Sequence, residues 1–260
     1  MTALLTEQTK VITGNAAAAY GTLLCRPDVV AAYPITPQSE LIEQLAKFHA
    51  DGILDTEYVT VEGENSAQNV VCGASMAGAR AFTATSSYGL VYMYDTMLNT
   101  SGYRAPVVMV VVNREPPGIH AVCSGQQDMI SVRDSGWVQL VVENCQEILD
   151  MTIQSFRLAE DYDIQLPVML NYDGYYLSFL AEAVKIPAIS QVDDFLRVLQ
   201  SQRVPGLVDD RGPGVVPHHR VVVIGVAEPG VAAGRIGARV VRPGSAWHAR
   251  LGVAQVGMLG

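Results

Sequence analysis

Two glutamates, Glu62 and Glu64, stand where a β-branched run at 58–61 stops and a stretch rich in Ala, Gly and Ser begins. A carboxylate at the start of a helix can stabilise the helix dipole by about 0.3–1 kcal/mol. Held in an apolar, dry pocket, it can instead form a strong charge-assisted hydrogen bond to a ligand. Both roles are open to both acids. Downstream, Ser86, Ser87 and Gly89 supply hydroxyls and a glycine where a helix N-terminus can meet a polar ligand, although such turns are also common caps. Thr36 follows an apolar run and precedes a helix, which makes it either an N-cap or a residue at the ligand-bearing end of a buried strand. Arg114 ends another apolar run, where its fork can grip a carboxylate bidentately or form a surface or interface ion pair.

Metal chemistry finds little support. Cys25, Cys72, Cys123 and Cys145 lie far apart without a CxxC, and the histidines form no HExxH. These spacings argue against an iron–sulfur cluster within the chain, a disulfide framework or a structural zinc site.

The elements that must position these residues alternate. Helical patterns are expected at 14–24, 38–50, 65–79, 90–100 and 146–161, with a short helix before the strand at 138–142. Between them fall short apolar strands at 28–33, 58–61, 81–86, 107–112, 138–142 and 166–170. Continuous apolar strands suit a parallel sheet covered on both faces, so the fold class is α/β, doubly wound and mostly parallel. The helix over 65–79 pays about 1 kcal/mol for each glycine, which is explained if a backbone or flat ring must approach it closely. The loop 115–126, with two prolines, two glycines and His120, is long enough to be functional rather than idle.

A net charge of −9 argues against a nucleic-acid or anionic-membrane surface. The N-terminal residues lack a signal-peptide pattern, and the longest apolar run is far short of a membrane span, so a cytoplasmic location is expected. A domain is expected over 1–195, followed by an atypical tail over 196–260. Residues 205–260 contain no Lys, Asn, Thr, Tyr, Phe or Cys, a change of character that suggests a shifted reading frame, or a divergent linker with a strand at 219–226.

Five collinear stretches carry a more specific signal: AYPITPQSE (32–40), EGENSAQNVVCGASMAGARAFTATSSYGL (62–90), RAPVVMVVVNR (104–114), QQDMISVRDSGW (126–137) and LPVMLNYDGYYLS (166–178). Together they resemble the α-chain of the 2-oxoacid:ferredoxin oxidoreductases, closely so for the pyruvate-type enzymes. The resemblance implies the pyrimidine-type half of a thiamin-diphosphate site and oxidative decarboxylation of a 2-oxoacid to an acyl-coenzyme A, with electrons passing to ferredoxin. It further implies that Glu64, rather than Glu62, contacts the aminopyrimidine, that Thr36 faces substrate and cofactor, and that Arg114 binds the substrate carboxylate. Ser86, Ser87 and Gly89 become cofactor contacts. The GDG motif that holds diphosphate and Mg²⁺ is missing from this sequence, so the family pattern assigns it to a β-type partner chain. It likewise assigns [4Fe–4S] clusters to partners, with a ferredoxin-like chain and a γ-type chain completing the complex. The loop 115–126 departs from the pyruvate-type pattern, which leaves shorter-branched, bulky or aryl 2-oxoacids open. The competing reading is a truncated, non-catalytic assembly module.

Overall fold

The computed structural model describes residues 6–116, 125–200 and 222–224. Apolar runs form the strands β2 (Val29–Ala32), β3 (Glu57–Thr60), β4 (Ala81–Thr85), β5 (Val107–Asn113), β6 (Val138–Val141) and β7 (Val168–Asp173). With β9 (Val222–Ile224) at one edge, they make a parallel sheet in the order β3-β2-β4-β5-β7-β6-β9.

Both faces of the sheet are buried, and β5 shows how. Val108, Val110 and Val112 point into one core with α1 (Gly14–Cys25), α2 (Ser39–Ala50) and α7 (Cys145–Glu160). Val107, Met109 and Val111 point into the other, with α3 (Glu64–Met76), α4 (Ser87–Tyr92) and α5 (Tyr94–Gly102). The two-residue period of a strand serves two apolar layers at once, which is why the sequence shows a continuous run instead of an alternation. The doubly wound fold is as expected.

Three features were not in the sequence expectation. Strand β1 (Gln8–Thr13) pairs antiparallel with β8 (Ala181–Ile186) in a separate two-stranded sheet. Two further helices, α8 (Tyr176–Phe179) and α9 (Ile189–Gln200), flank β8. The helix expected over 90–100 is two helices, because the chain turns at Met93, between α4 and α5. The short helix expected before β6 is α6 (Gln127–Ser131).

At the amino ends of the strands, buried Arg80 forms a bidentate pair with buried Glu160, with Nε–Oε1 and Nη2–Oε2 distances of 2.6 and 2.7 Å. Its backbone N–H donates to Asp28, and its guanidinium also donates to the carbonyl of Cys25. A fully hydrogen-bonded fork is the form in which a buried charge is tolerated. It fixes the end of the sheet away from the candidate site.

The strand order locates that site. The chain steps from β2 outward to β3, then returns past β2 to β4, so α2 and α3 cover opposite faces. The crevice at the carboxyl ends of β2 and β4 is therefore a topological switch point, where α/β sheets open between diverging connections.

His120 and Cys123, within the loop 115–126, and most of the tail after 200 lie outside the described residues. Val222–Ile224 is the described part of that tail, and it pairs parallel with β6. Among the described residues, no helix is long and apolar enough to cross a membrane.

Candidate active site

Glu64 is the first residue of α3, after Gly63, and is half-buried. Its carboxylate lies against Gly89 of α4. A Cβ placed on Gly89 would stand 2.7 Å from Glu64 Oε1 and 2.5 Å from Thr85 Oγ1. A Cβ here would force both side chains to shift, since real Cβ contacts below 3 Å are essentially never found. Gly73, within α3, meets nothing within 4 Å, so the close approach in this region is made at Gly89 and not by that helical glycine.

Glu62 differs from its neighbour. It is exposed and accepts a 2.7 Å hydrogen bond from the Ser66 hydroxyl, which holds its carboxyl below the usual range. That contact belongs to the first turn of a helix. Sequence spacing leaves both acids open, whereas only Glu64 enters the crevice.

Three of the nine buried side-chain atoms that lack a hydrogen-bond partner among the described residues lie at or just past the carboxyl ends of β4 and β5, and one of them, Thr85 Oγ1, approaches Gly89 together with Glu64. Thr85 Oγ1 and Ser86 Oγ, at the carboxyl end of β4, and Asn113 Oδ1, at the end of β5, are buried and find no hydrogen-bond partner among the described residues. Buried hydroxyls and amides are normally satisfied, and these three stand where the strand ends meet the Glu64 side of the sheet, so they are free to take a polar ligand. Ser87 has φ 50, a left-handed conformation unusual for serine, and its hydroxyl donates to the Glu115 carbonyl at 3.4 Å. Ser86 precedes α4 without capping it through its side chain.

Thr36 is exposed in the turn after β2, where the Thr36–Pro37 bond is cis. It does not cap α2, whose preceding residue is Gln38. The turn is held from three sides. Buried Asn15 donates to the Pro37 carbonyl at 2.9 Å and accepts from the Tyr172 hydroxyl at 2.7 Å. Gln38 donates to the Ala84 carbonyl at 2.8 Å, tying the turn to β4. Gly174, after β7, packs so closely that a Cβ there would meet Pro37 Cγ at 2.8 Å and the Asn113 carbonyl at 2.1 Å. Asn15, Gln38 and Tyr172 give the sequence no signature, because each stands within an ordinary helix or strand pattern.

Arg114 is half-buried just past β5, and among the described residues its guanidinium has no hydrogen bond or ion pair. Its backbone N–H donates to Asp128, a fully buried carboxylate that sequence reasoning missed. Burial pushes the Asp128 carboxyl up, opposed by hydrogen bonds from Arg114, Asn113, Ser87 and Met129. In sequence, Asp128 resembles any acid in the first turn of a short helix.

The crevice thus brings Glu64, Ser86, Ser87 and Gly89 together, with Arg114 joined to Ser87 through Asp128. Thr36 is tied to the same strand ends through its turn. Among the described residues, no group of three or more His, Cys, Asp or Glu could hold a metal ion.

Comparison with known proteins identifies the family. The family model described as pyruvate flavodoxin/ferredoxin oxidoreductase, thiamine diphosphate-binding, matches residues 20–226. The chain is 46% identical over 183 residues to the NADH-dependent phenylglyoxylate dehydrogenase subunit alpha of Aromatoleum evansii, covering 70% of this chain and 44% of that protein. It is 45% identical over 213 residues to the pyruvate synthase subunit PorA of Methanocaldococcus jannaschii, covering 81% and 55%. Among solved structures, it resembles the 2-oxoglutarate:ferredoxin oxidoreductase of Magnetococcus marinus with 2-oxoglutarate, coenzyme A and succinyl-CoA bound, with a TM-score of 0.63 and 30% identity over 70% of this chain and 32% of that one. The chain spans about half the length of the curated relatives it matches. By this sequence match, with the fold in agreement, the chain belongs to the pyruvate flavodoxin/ferredoxin oxidoreductase family, in its thiamine-diphosphate-binding part, as an α-type chain.

Proposed function

We propose that this chain supplies the pyrimidine-side half of a thiamin-diphosphate site in a 2-oxoacid:ferredoxin oxidoreductase, which converts a 2-oxoacid and coenzyme A to an acyl-coenzyme A and CO₂ with electrons leaving to ferredoxin. The observation that carries it is the half-buried Glu64 carboxylate seated on Gly89 beside the unpartnered hydroxyls of Thr85 and Ser86. When bound, the cofactor supplies the carbanion chemistry that releases CO₂ from a 2-oxoacid. Glu64 offers it a carboxylate acceptor for the aminopyrimidine, and the charge-assisted bond is strengthened by partial exclusion of water. Thr85, Ser86 and Ser87 offer hydroxyls beside that acceptor. Thr36 borders the crevice on the β2 side and orients the substrate.

Arg114 has a guanidinium that no described residue engages, and it suits the carboxylate of a 2-oxoacid. The relatives are named for aryl, short-chain and dicarboxylic oxoacids, and what those substrates share is the 2-oxoacid carboxylate. Diphosphate, Mg²⁺ and [4Fe–4S] clusters are assigned to a β-type, a γ-type and a ferredoxin-like partner chain. The test is co-purification with those chains followed by a 2-oxoacid decarboxylation assay with ferredoxin. Activity that depends on this chain supports the proposal, whereas a complex equally active without it leaves an assembly role.

Arg114→Lys should raise the oxoacid KM by about tenfold or more and leave cofactor affinity near normal, because an ammonium cannot reproduce the bidentate fork. Steady-state kinetics of the assembled enzyme checks this. An unchanged KM with impaired assembly would place Arg114 at a chain interface instead.

A further inference from the structure

Asp128 is fully buried at the start of α6, and both its oxygens are occupied by donors. Oδ2 accepts the backbone N–H groups of Ser87 and Arg114, each at 3.0 Å. Oδ1 accepts Asn113 Nδ2 at 2.9 Å and the Met129 N–H at 2.8 Å. Three of these four donors lie just past, or at the end of, β4 and β5, the strands whose ends carry the unpartnered polar atoms. One of them, Ser87, holds a left-handed backbone that a non-glycine residue keeps only where its surroundings impose it.

We propose that Asp128 is a positioning residue: one carboxylate oxygen, shared between the Ser87 and Arg114 amides, sets the turn after β4 and the backbone of Arg114 in a single register. Through that backbone it aims the guanidinium that grips the 2-oxoacid. This rests on the assignment of Arg114 to the substrate carboxylate. An aspartate is needed because every contact is a donor, and a carboxylate is the side chain of this size with acceptors on both sides. An asparagine turns one side into a donor, which must oppose a main-chain N–H. The bonds that remain lose their charge assistance.

In the assembled enzyme, Asp128→Asn should raise the oxoacid KM by about tenfold while kcat changes by less than about threefold. Since the effect passes through Arg114, adding Asp128→Asn to Arg114→Lys should raise KM by less than about twofold further. Hydrogen exchange of the cofactor-free complex gives a second readout. The Ser87 and Arg114 amides should exchange faster in Asp128→Asn, while α7, across the sheet, keeps its protection.

Independent, multiplying KM effects in the double variant would overturn the positioning role and leave the Arg114 assignment standing. So would loss of protection throughout the sheet. Arg114→Lys with an unchanged KM would instead overturn the Arg114 assignment, and the positioning role with it. Should Asp128→Asn fail to assemble, Asn113→Ser removes one donor and keeps the carboxylate. It should raise KM by about threefold, again only when Arg114 is present.

Discussion

Glu64→Gln should reduce turnover of the assembled enzyme by roughly a hundredfold or more, with little change in thermal stability. Glutamine keeps the shape and polarity of the side chain, so the start of α3 and its packing on Gly89 should survive. What it loses is the charge. An amide oxygen accepts a weaker hydrogen bond than a carboxylate, and its NH₂ turns one side of the group into a donor. Glu62→Gln is the matched control, because Glu62 is exposed and its described side-chain partner is the Ser66 hydroxyl of its own helix turn. Its loss should change thermal stability little and leave turnover within about twofold. Similar, small effects from the two substitutions would remove Glu64 from the chemistry.

Gly89→Ala should be nearly as damaging, although it changes no polar group. The new methyl would stand 2.5 Å from Thr85 Oγ1 and 2.7 Å from Glu64 Oε1, so both side chains must give way. Thr85 is buried at the end of a central strand, while Glu64 is a half-buried side chain with three rotatable bonds. The carboxylate should therefore be pushed off its position, and a displacement of that size costs about a hundredfold in rate. Gly73→Ala is the control, since its methyl meets nothing within 4 Å and removes a helix glycine, worth up to about 1 kcal/mol of stability. Turnover and thermal melting of both variants check the pair. Full activity in Gly89→Ala would show that the Glu64 position is not critical.

The layered fold was legible because strands buried on both faces become uninterrupted apolar runs, as over 107–112 in β5. Strand β8 escaped notice because its sequence, AEAVKI, carries Glu182 and Lys185, and its pairing with β1 joins residues far apart in the chain. At the site, Glu64, Ser86, Ser87 and Gly89 were visible as acids, hydroxyls and a glycine at element boundaries. The choice between Glu62 and Glu64 rested on resemblance until geometry separated an exposed, Ser66-bonded acid from one packed on Gly89. Asp128, Asn15 and Tyr172 stayed hidden for a common reason. Their roles depend on donors and acceptors brought from distant segments, and no local pattern marks a polar side chain that will be buried.

On its own, this chain is expected to offer half of a cofactor site. Its crevice presents one carboxylate and several hydroxyls, while the sequence has neither GDG nor a Gly-rich lysine loop to anchor a metal-bridged diphosphate. A ring resting in half a pocket gains too little to offset the cost of being ordered. Calorimetric titration of thiamin diphosphate and Mg²⁺ into the 260-residue chain tests this, performed once alone and once with a diphosphate-binding partner chain. The expected result is heat of binding only with the partner present, weakened when the chain carries Glu64→Gln. Micromolar or tighter binding to the chain alone would contradict it.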